Sequence, residues 1–270
     1  MQQSMYSALF GALTQEHRLN IIANNLANVN TVGYKKDKLA FKDVFYHYAH
    51  DYLNPNDTVK DEQIHPTARD VYLWPRARDM SQTRIAFTRI DYNQGSLRQT
   101  DNPLDLGIQG EGFFKVRGPD GKIYYTRNGN FYKHPQTNEM MTNQGFVLLD
   151  RMNNPVVLTG KGRIDITEDG NVLINGNKVA QLEIVTFKDL NVLQKIGRQL
   201  FAVKPGFNVQ PVVTDKAFIR QGYLEMSNVE TVTEMVNMIE TLRTFEAMQK
   251  VMSSTQEEDQ KVIRDVGTIR

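Results

Sequence analysis

Residues Ser227 to Met252 read SNVETVTEMVNMIETLRTFEAMQKVM, and this stretch decides the fold. Val232, Met235, Ile239, Leu242, Phe245, Met248 and Met252 recur at spacings of three and four, the apolar stripe of an amphipathic helix. Ser227-Asn228-Val229-Glu230 reads as a capping box. In it Ser227 accepts from the Glu230 backbone while the Glu230 side chain reaches back, so a helix is expected to start here. No Gly or Pro interrupts Tyr223 to Val266. At about 1.5 Å per residue, a helix from Val229 to Val266 reaches roughly 57 Å, longer than a small domain is wide. Such a helix needs a partner outside its own globule. Methionine, concentrated between Met226 and Met252, suits packing against non-identical neighbours.

The other end of the chain mirrors this one. Met5, Leu9, Ala12, Leu19, Ala23 and Leu26 follow steps of four and three, with Glu16 in the single polar slot. That helix is expected to stop near Asn30 to Gly33, with Gly33 as a left-handed cap and Lys35 and Lys36 against the negative end of the dipole. Asn24, Asn25, Asn28 and Asn30 weaken a helix end unless their amides find partners. Asn24 and Asn28 share a face beside the small Ala23 and Ala27, which reads as a face that specifies assembly. The two ends also differ in charge: Ser227 to Val262 is acidic and Met1 to Lys36 basic. For exposed pairs that attraction is worth under about 1 kcal/mol each. Burial of the seams, at about 25 cal/mol per Å², is the larger effect.

Between the ends the periodicity changes. Fifteen of the 18 glycines lie from Gly95 to Gly222, among short β-rich runs at 124–134, 146–149, 156–158 and 181–187. Asp169-Gly170 and Asn175-Gly176 are tight-turn signals, predicting a three-stranded meander from 163–167, 172–174 and 179–187. Residues 39–80, rich in aromatics and histidine, fit neither pattern and read as an extended connector.

The 270 residues carry 32 basic and 31 acidic side chains, so no chain-wide field argues for nucleic acid. Cysteine is absent, which removes disulfides, thiolate nucleophiles and Cys-ligated metals. No apolar run approaches the roughly 18 residues that cross a bilayer, and the start lacks the basic segment of a cleaved secretory signal. Gly107-Ile108-Gln109-Gly110-Glu111-Gly112 is glycine-rich, but Phe113-Phe114-Lys115-Val116 continues as β formers where a phosphate site needs a helix N-terminus. These glycines read as bulge or close-packing positions. The run 165–170 opens like a calcium loop, but Gly176 stands where a bidentate Glu is required. His47, His50 and Asp51 have a ligand spacing without a scaffold to support it. No nucleophile elbow, zinc helix or phosphate loop occurs, so no cofactor, metal, catalytic residue or small-molecule substrate is expected.

Three stretches also carry a resemblance. Ala23 to Lys36 (ANNLANVNTVGYKK), Thr100 to Phe114 (TDNPLDLGIQGEGFF) and Tyr223 to Glu246 (YLEMSNVETVTEMVNMIETLRTFE) closely resemble, in order, signatures of the axial proteins of the bacterial flagellum, the rod and hook family. The length is similar to that of rod proteins rather than the longer hook subunit, and Arg243 to Val262 looks more like the proximal-rod branch than the distal-rod branch. The resemblance implies an α+β fold. Its long N- and C-terminal helices pair as a coiled-coil-like inner domain, 1–34 and 226–270, joined by the connector 35–80 to a central β-rich outer domain, 81–225.

It further implies a non-enzymatic, self-assembling subunit of the basal-body rod that transmits torque from motor to hook across the periplasm. Its partners are copies of itself, other rod proteins and the flagellar type III export apparatus, with no cleaved signal peptide and no nucleic acid. Asn24, Asn25, Leu26, Asn28 and Asn30 are then expected at the assembly interface, faced by Val232, Met235, Ile239, Leu242 and Phe245. Asn102, Pro103, Leu104, Gly110, Gly112 and Phe113 are expected to shape the outer domain. The alternatives are a distal-rod or hook-like axial subunit, and a cell-wall-acting enzyme using Asp101 and Asp105.

Overall fold

The computed structural model describes residues 2–46, 80–160, 162–207, 209–214 and 216–267. Helix α1, Gln2–Ala27, opens the chain and helix α2, Thr231–Gly267, closes it, with a β-rich region between, so the fold is α+β. Its 37 residues make α2 roughly 55 Å long. No helix among the described residues is long and apolar enough to cross a membrane.

Both helices end inside the expected limits, for a shared reason. Helix α1 stops at Ala27, and turns carry the chain to Gly33. Gly33 takes the left-handed conformation, φ +69°, yet its N–H goes to the Glu225 carbonyl rather than to α1. Helix α2 starts at Thr231, not Ser227, and the capping box does not form. Ser227 Oγ accepts from the Val229 N–H, and the Glu230 carboxylate accepts from the Thr233 hydroxyl. Residues 226–228 are already committed. The Met226 N–H bonds the Ser96 carbonyl, and the Asn228 amide accepts from Lys36 N–H while donating to the carbonyls of Asp91 and Asn93. With Met226 and Asn228 held by these distant partners, the helix begins only beyond them.

The chain divides into two compact units. One comprises Met1–Ile22, Leu39–Thr88 and Val236–Arg270, and the other Ala23–Lys38 and Arg89–Met235. Asp37–Tyr46 and Met80–Ile90 pair as a two-stranded sheet, so part of the expected connector is strand. His47, His50, Asp51 and the remainder to residue 79 lie outside the described residues.

Within the second unit, a nine-stranded sheet centres on Phe113–Arg117, antiparallel to Ile123–Thr126, Val147–Leu148 and Ile184–Thr186. Alternate residues of the central strand feed two cores. Phe114 and Val116 join Leu106, Ile108, Leu148 and Leu158, whereas Phe113 joins Tyr125, Val185 and Phe201. Each such side chain, removed from water, contributes about 1.5–3 kcal/mol. The meander forms from Ile164–Ile166, Asn171–Ile174 and Asn177–Gln181, with Gly170, Asn175 and Gly176 at positive φ in its turns. Its third strand ends at Gln181. The next segment, Ile184–Thr186, leaves for the large sheet, because Ile184 and Val185 pair with Phe114 and Phe113.

Candidate assembly interface

The predicted stripe on α2 is not one face. Val232, Met235, Ile239 and Leu242 are all exposed, 75% in the case of Val232, whereas Phe245, Met248 and Met252 are half-buried. The reason is angular. At about 100° per residue, the nine positions from Ile239 to Met248 turn the stripe through about 180°. The inward face of α2 is marked instead by Glu234, Thr241, Met248 and Thr255, at intervals of seven. Apolar counting missed it because threonine is polar. Thr241 and Thr255 satisfy their hydroxyls on the carbonyls of Asn237 and Val251, four residues back, and so can be buried without loss. On α1 the small Gly11 lies against Met248, so close that an added Cβ would stand 3.0 Å from its sulfur. On α1, Ala12 of the expected seam is buried, but Ala8 and Ile22 are enclosed in place of the neighbouring Leu9 and Ala23, Thr14 is buried as well, and Leu9 and Leu13 are exposed. Val232, Met235, Ile239 and Leu242, expected to face the asparagines, therefore present an apolar row to solvent, to which Val236 adds.

The asparagines divide as well. Asn24 and Asn30 are exposed and Leu26 is half-buried, while Asn25 and Asn28 are buried. Asn28 donates to the Asn24 carbonyl and side chain and accepts from the Thr31 hydroxyl, closing the helix end on itself. Asn25 reaches further. It donates to the Asp37 carbonyl and accepts from the Tyr34 hydroxyl and the Asp37 N–H, so one amide fastens the end of α1 to residues 34–37.

Behind this lies a buried ionic node that sequence reading did not find. Glu225 is fully enclosed and accepts from Lys35 Nζ at 2.6 Å, Arg127 at 3.0 Å and the Gly95 N–H at 3.0 Å. Lys35 also donates to the Asn93 carbonyl, and Arg127 to the Gly110 carbonyl. Lys195 bonds the Lys35 carbonyl and Asp37, with its ammonium 4.3 Å above the Tyr34 ring. Lys35 thus answers Glu225 and not the dipole of α1. Burial pushes Lys35 below the ordinary lysine range and Arg127 below the arginine range, with Glu225 opposing in both cases. Burial, then the charge of Asp37, drives Tyr34 above its ordinary value. Gly33 enters because a Cβ there would collide with the backbone of Asn128. A charged residue inside each terminal signature was the available clue, but Lys35 and Glu225 stand 190 positions apart.

The segment 100–114 supports the same region. Asn102 accepts from the Leu104 N–H, Pro103 accepts from Gln221 through its carbonyl, and Leu104 packs on the larger core. Asp105 is buried and accepts from Asn130, and Asp101 accepts from Gln99. Gly110 and Gly112 have φ of +106° and +144°; a Cβ would meet the Lys216 carbonyl at the first and the Ile184 side chain at the second. They are close-packing positions, as expected. Phe113 sits edge-on to Tyr92 at 5.9 Å with the Arg127 guanidinium over its ring. Asp165 and Glu168 of the calcium-like run pair with Arg163 and Arg220.

Comparison with known proteins finds three family matches along the chain. Residues 5–35 match the family described as flagella basal body rod protein, 107–174 the flagellar hook protein FlgE/F/G D1 domain, and 220–265 the flagellar basal body rod FlgEFG protein C-terminal. Among relatives, the chain is 32% identical to the flagellar basal-body rod protein FlgG of Buchnera aphidicola from Acyrthosiphon pisum, over 97% of this chain and 99% of that one. It is 32% identical to FlgG of Borreliella burgdorferi, over 94% and 95%. It is 31% identical to the flagellar basal-body rod protein FlgF of Caulobacter vibrioides, over the whole of both chains.

Proposed function

Because this chain belongs to the flagellar basal-body rod protein family and is a structural subunit of that rod, we propose that it polymerises through its terminal helices to carry torque from motor to hook. The observation that carries this reading is the apolar row Val232, Met235, Val236, Ile239 and Leu242, exposed on a continuous helix of 37 residues. Covering it releases the cost of keeping apolar surface in water. Copies of this chain and other rod subunits are the occupants, with α1 and α2 paired in coiled-coil fashion along the axis and the β-rich region outside. Asn24, Leu26 and Asn30 join the contact, while Asn25 and Asn28 shape it from within.

The subunit reaches the rod through the flagellar export apparatus and lies where the rod crosses the periplasm. Its role is non-enzymatic. Asp101 and Asp105, the carboxylates a hydrolase would use, are engaged in a turn and with Asn130. Within the rod, the resemblance of Arg243 to Val262 and the end-to-end match to a FlgF support the proximal segment, whereas the FlgG matches support the distal one. Electron microscopy of basal bodies from a deletion strain tests both. Loss of the proximal rod and everything beyond it is expected, loss of the distal segment alone selects the second reading, and an intact rod overturns both.

A further inference from the structure

Beside the node lies a cavity of about 620 Å³ in the second unit. Cations outnumber anions around it, Lys38, Arg89 and Arg127 against Asp91 and Glu111. Lys38 is engaged with Asp91 at 2.8 Å, and the exposed Arg89, whose Nε donates to Asn191 at 3.1 Å, is the rim cation without an acidic partner among the described residues. Deeper in, the Arg127 side chain is 4% exposed and its Nε has no acceptor among the described residues, where the buried Tyr92 hydroxyl likewise has no partner. Counted together with the node behind the wall, four cations, Lys35, Lys38, Arg89 and Arg127, stand against three anions, Asp91, Glu111 and Glu225. A polar cavity with surplus positive charge and unmet donors suits a carboxylate.

The sequence concentrates carboxylates in one run of three. Near the far end of α2, Glu257, Glu258 and Asp259 are consecutive, the first two exposed. The cavity adjoins the root of α2, because Asn228 bonds the carbonyls of Asp91 and Asn93, both of which line it. Glu257 is 26 positions beyond Thr231 on an unbroken helix, about 39 Å away. We propose that the cavity is a socket for the Glu257–Glu258–Asp259 turn of a second copy of this chain, so that the root of one α2 receives the tip of another.

A contact between different surfaces of identical molecules does not close on itself but extends into a polymer. Rim charges of this kind select partner and register more than they add affinity. The inference rests on the polymerising reading above and adds a direction and a register to it.

The absence of cysteine makes a direct test available. Cells produce an Arg89→Cys chain and a Glu258→Cys chain together, and their basal bodies are oxidised and run without reductant. A cross-linked dimer that requires both variants is expected, with none from either variant alone. Dimers from a single variant, or linkage of the Glu258→Cys chain to another rod protein, overturn the socket. So does absence of the dimer in cells that swim normally, which leaves the rod reading intact. Normal swimming of the deletion strain sinks the rod reading instead. As a second arm, Glu257→Lys with Glu258→Lys should impair swimming, and adding Lys38→Glu with Arg89→Glu should restore it. Failure of the reversed pair to rescue counts against the proposal.

Discussion

The roots of the two helices and the outer face of α2 are built from opposite materials. At the roots, Glu225, Lys35, Arg127 and Asn25 are withdrawn from water, and their side chains bond within the chain. Along α2, Val232, Ile239 and Leu242 are exposed to water. The difference teaches that the polar signature residues at the helix roots bond within the single molecule, while the apolar row is left for the assembly proposed above. A buried ion pair adds little over an apolar substitute of the same shape but is costly to break, which suits a device for position rather than strength.

That contrast can be broken most forcefully at Glu225. Glu225→Ala leaves Lys35 and Arg127 buried without their anion, and a loss of about 3–5 kcal/mol in urea unfolding of the purified chain is expected. Glu225→Gln, which retains an acceptor, should lose less. If both variants are as stable as the parent, the node does not hold the roots. Next in size, Gly33→Ala forces a side chain into a left-handed position, at about 1–3 kcal/mol, and adds a collision with Asn128. The same unfolding measurement reads it.

A smaller effect sharpens the comparison through pH. Burial raises the Asp91 carboxyl, but hydrogen bonds from Lys38 and the Asn93 N–H outweigh it and hold the group below the usual carboxylate range. A depressed acid stabilises the fold above its unfolded value and loses that contribution as pH falls through the folded one. Lys38→Met should therefore move the Asp91 titration upward by NMR and cost under about 1 kcal/mol at neutral pH, since Lys38 is largely exposed. At the other extreme, Ile239→Asp with Leu242→Asp should change the stability of the isolated chain by only about 0.5 kcal/mol per site. Swimming should nevertheless be lost. Normal motility in that strain would remove the apolar row from the interface.

Much of the fold was legible because it is local. The two turns of the meander are written in Asp169-Gly170 and Asn175-Gly176, whose positive φ values follow from residue type. Both helices were visible from spacing. Their limits were not, since Ser227 carries a sound capping signal that loses to the bonds made by Met226 and Asn228 with distant strands. The faces of α2 were misjudged for a different reason. The apolar residues at 239, 242, 245 and 248 are three consecutive steps of three, which drift round the helix, and the buried threonines carry no hydrophobic signal.

By itself the sequence determined the alternation of helix, β-rich middle and helix, and the surplus of apolar surface on α2, because periodicity and turn chemistry act over a few residues. Only the tertiary structure decided which side of each helix is enclosed and which residues meet across the chain. Lys35 and Glu225 are drawn together over 190 positions by the sheets between them, and a buried charge declares its partner only once the fold has excluded water from both.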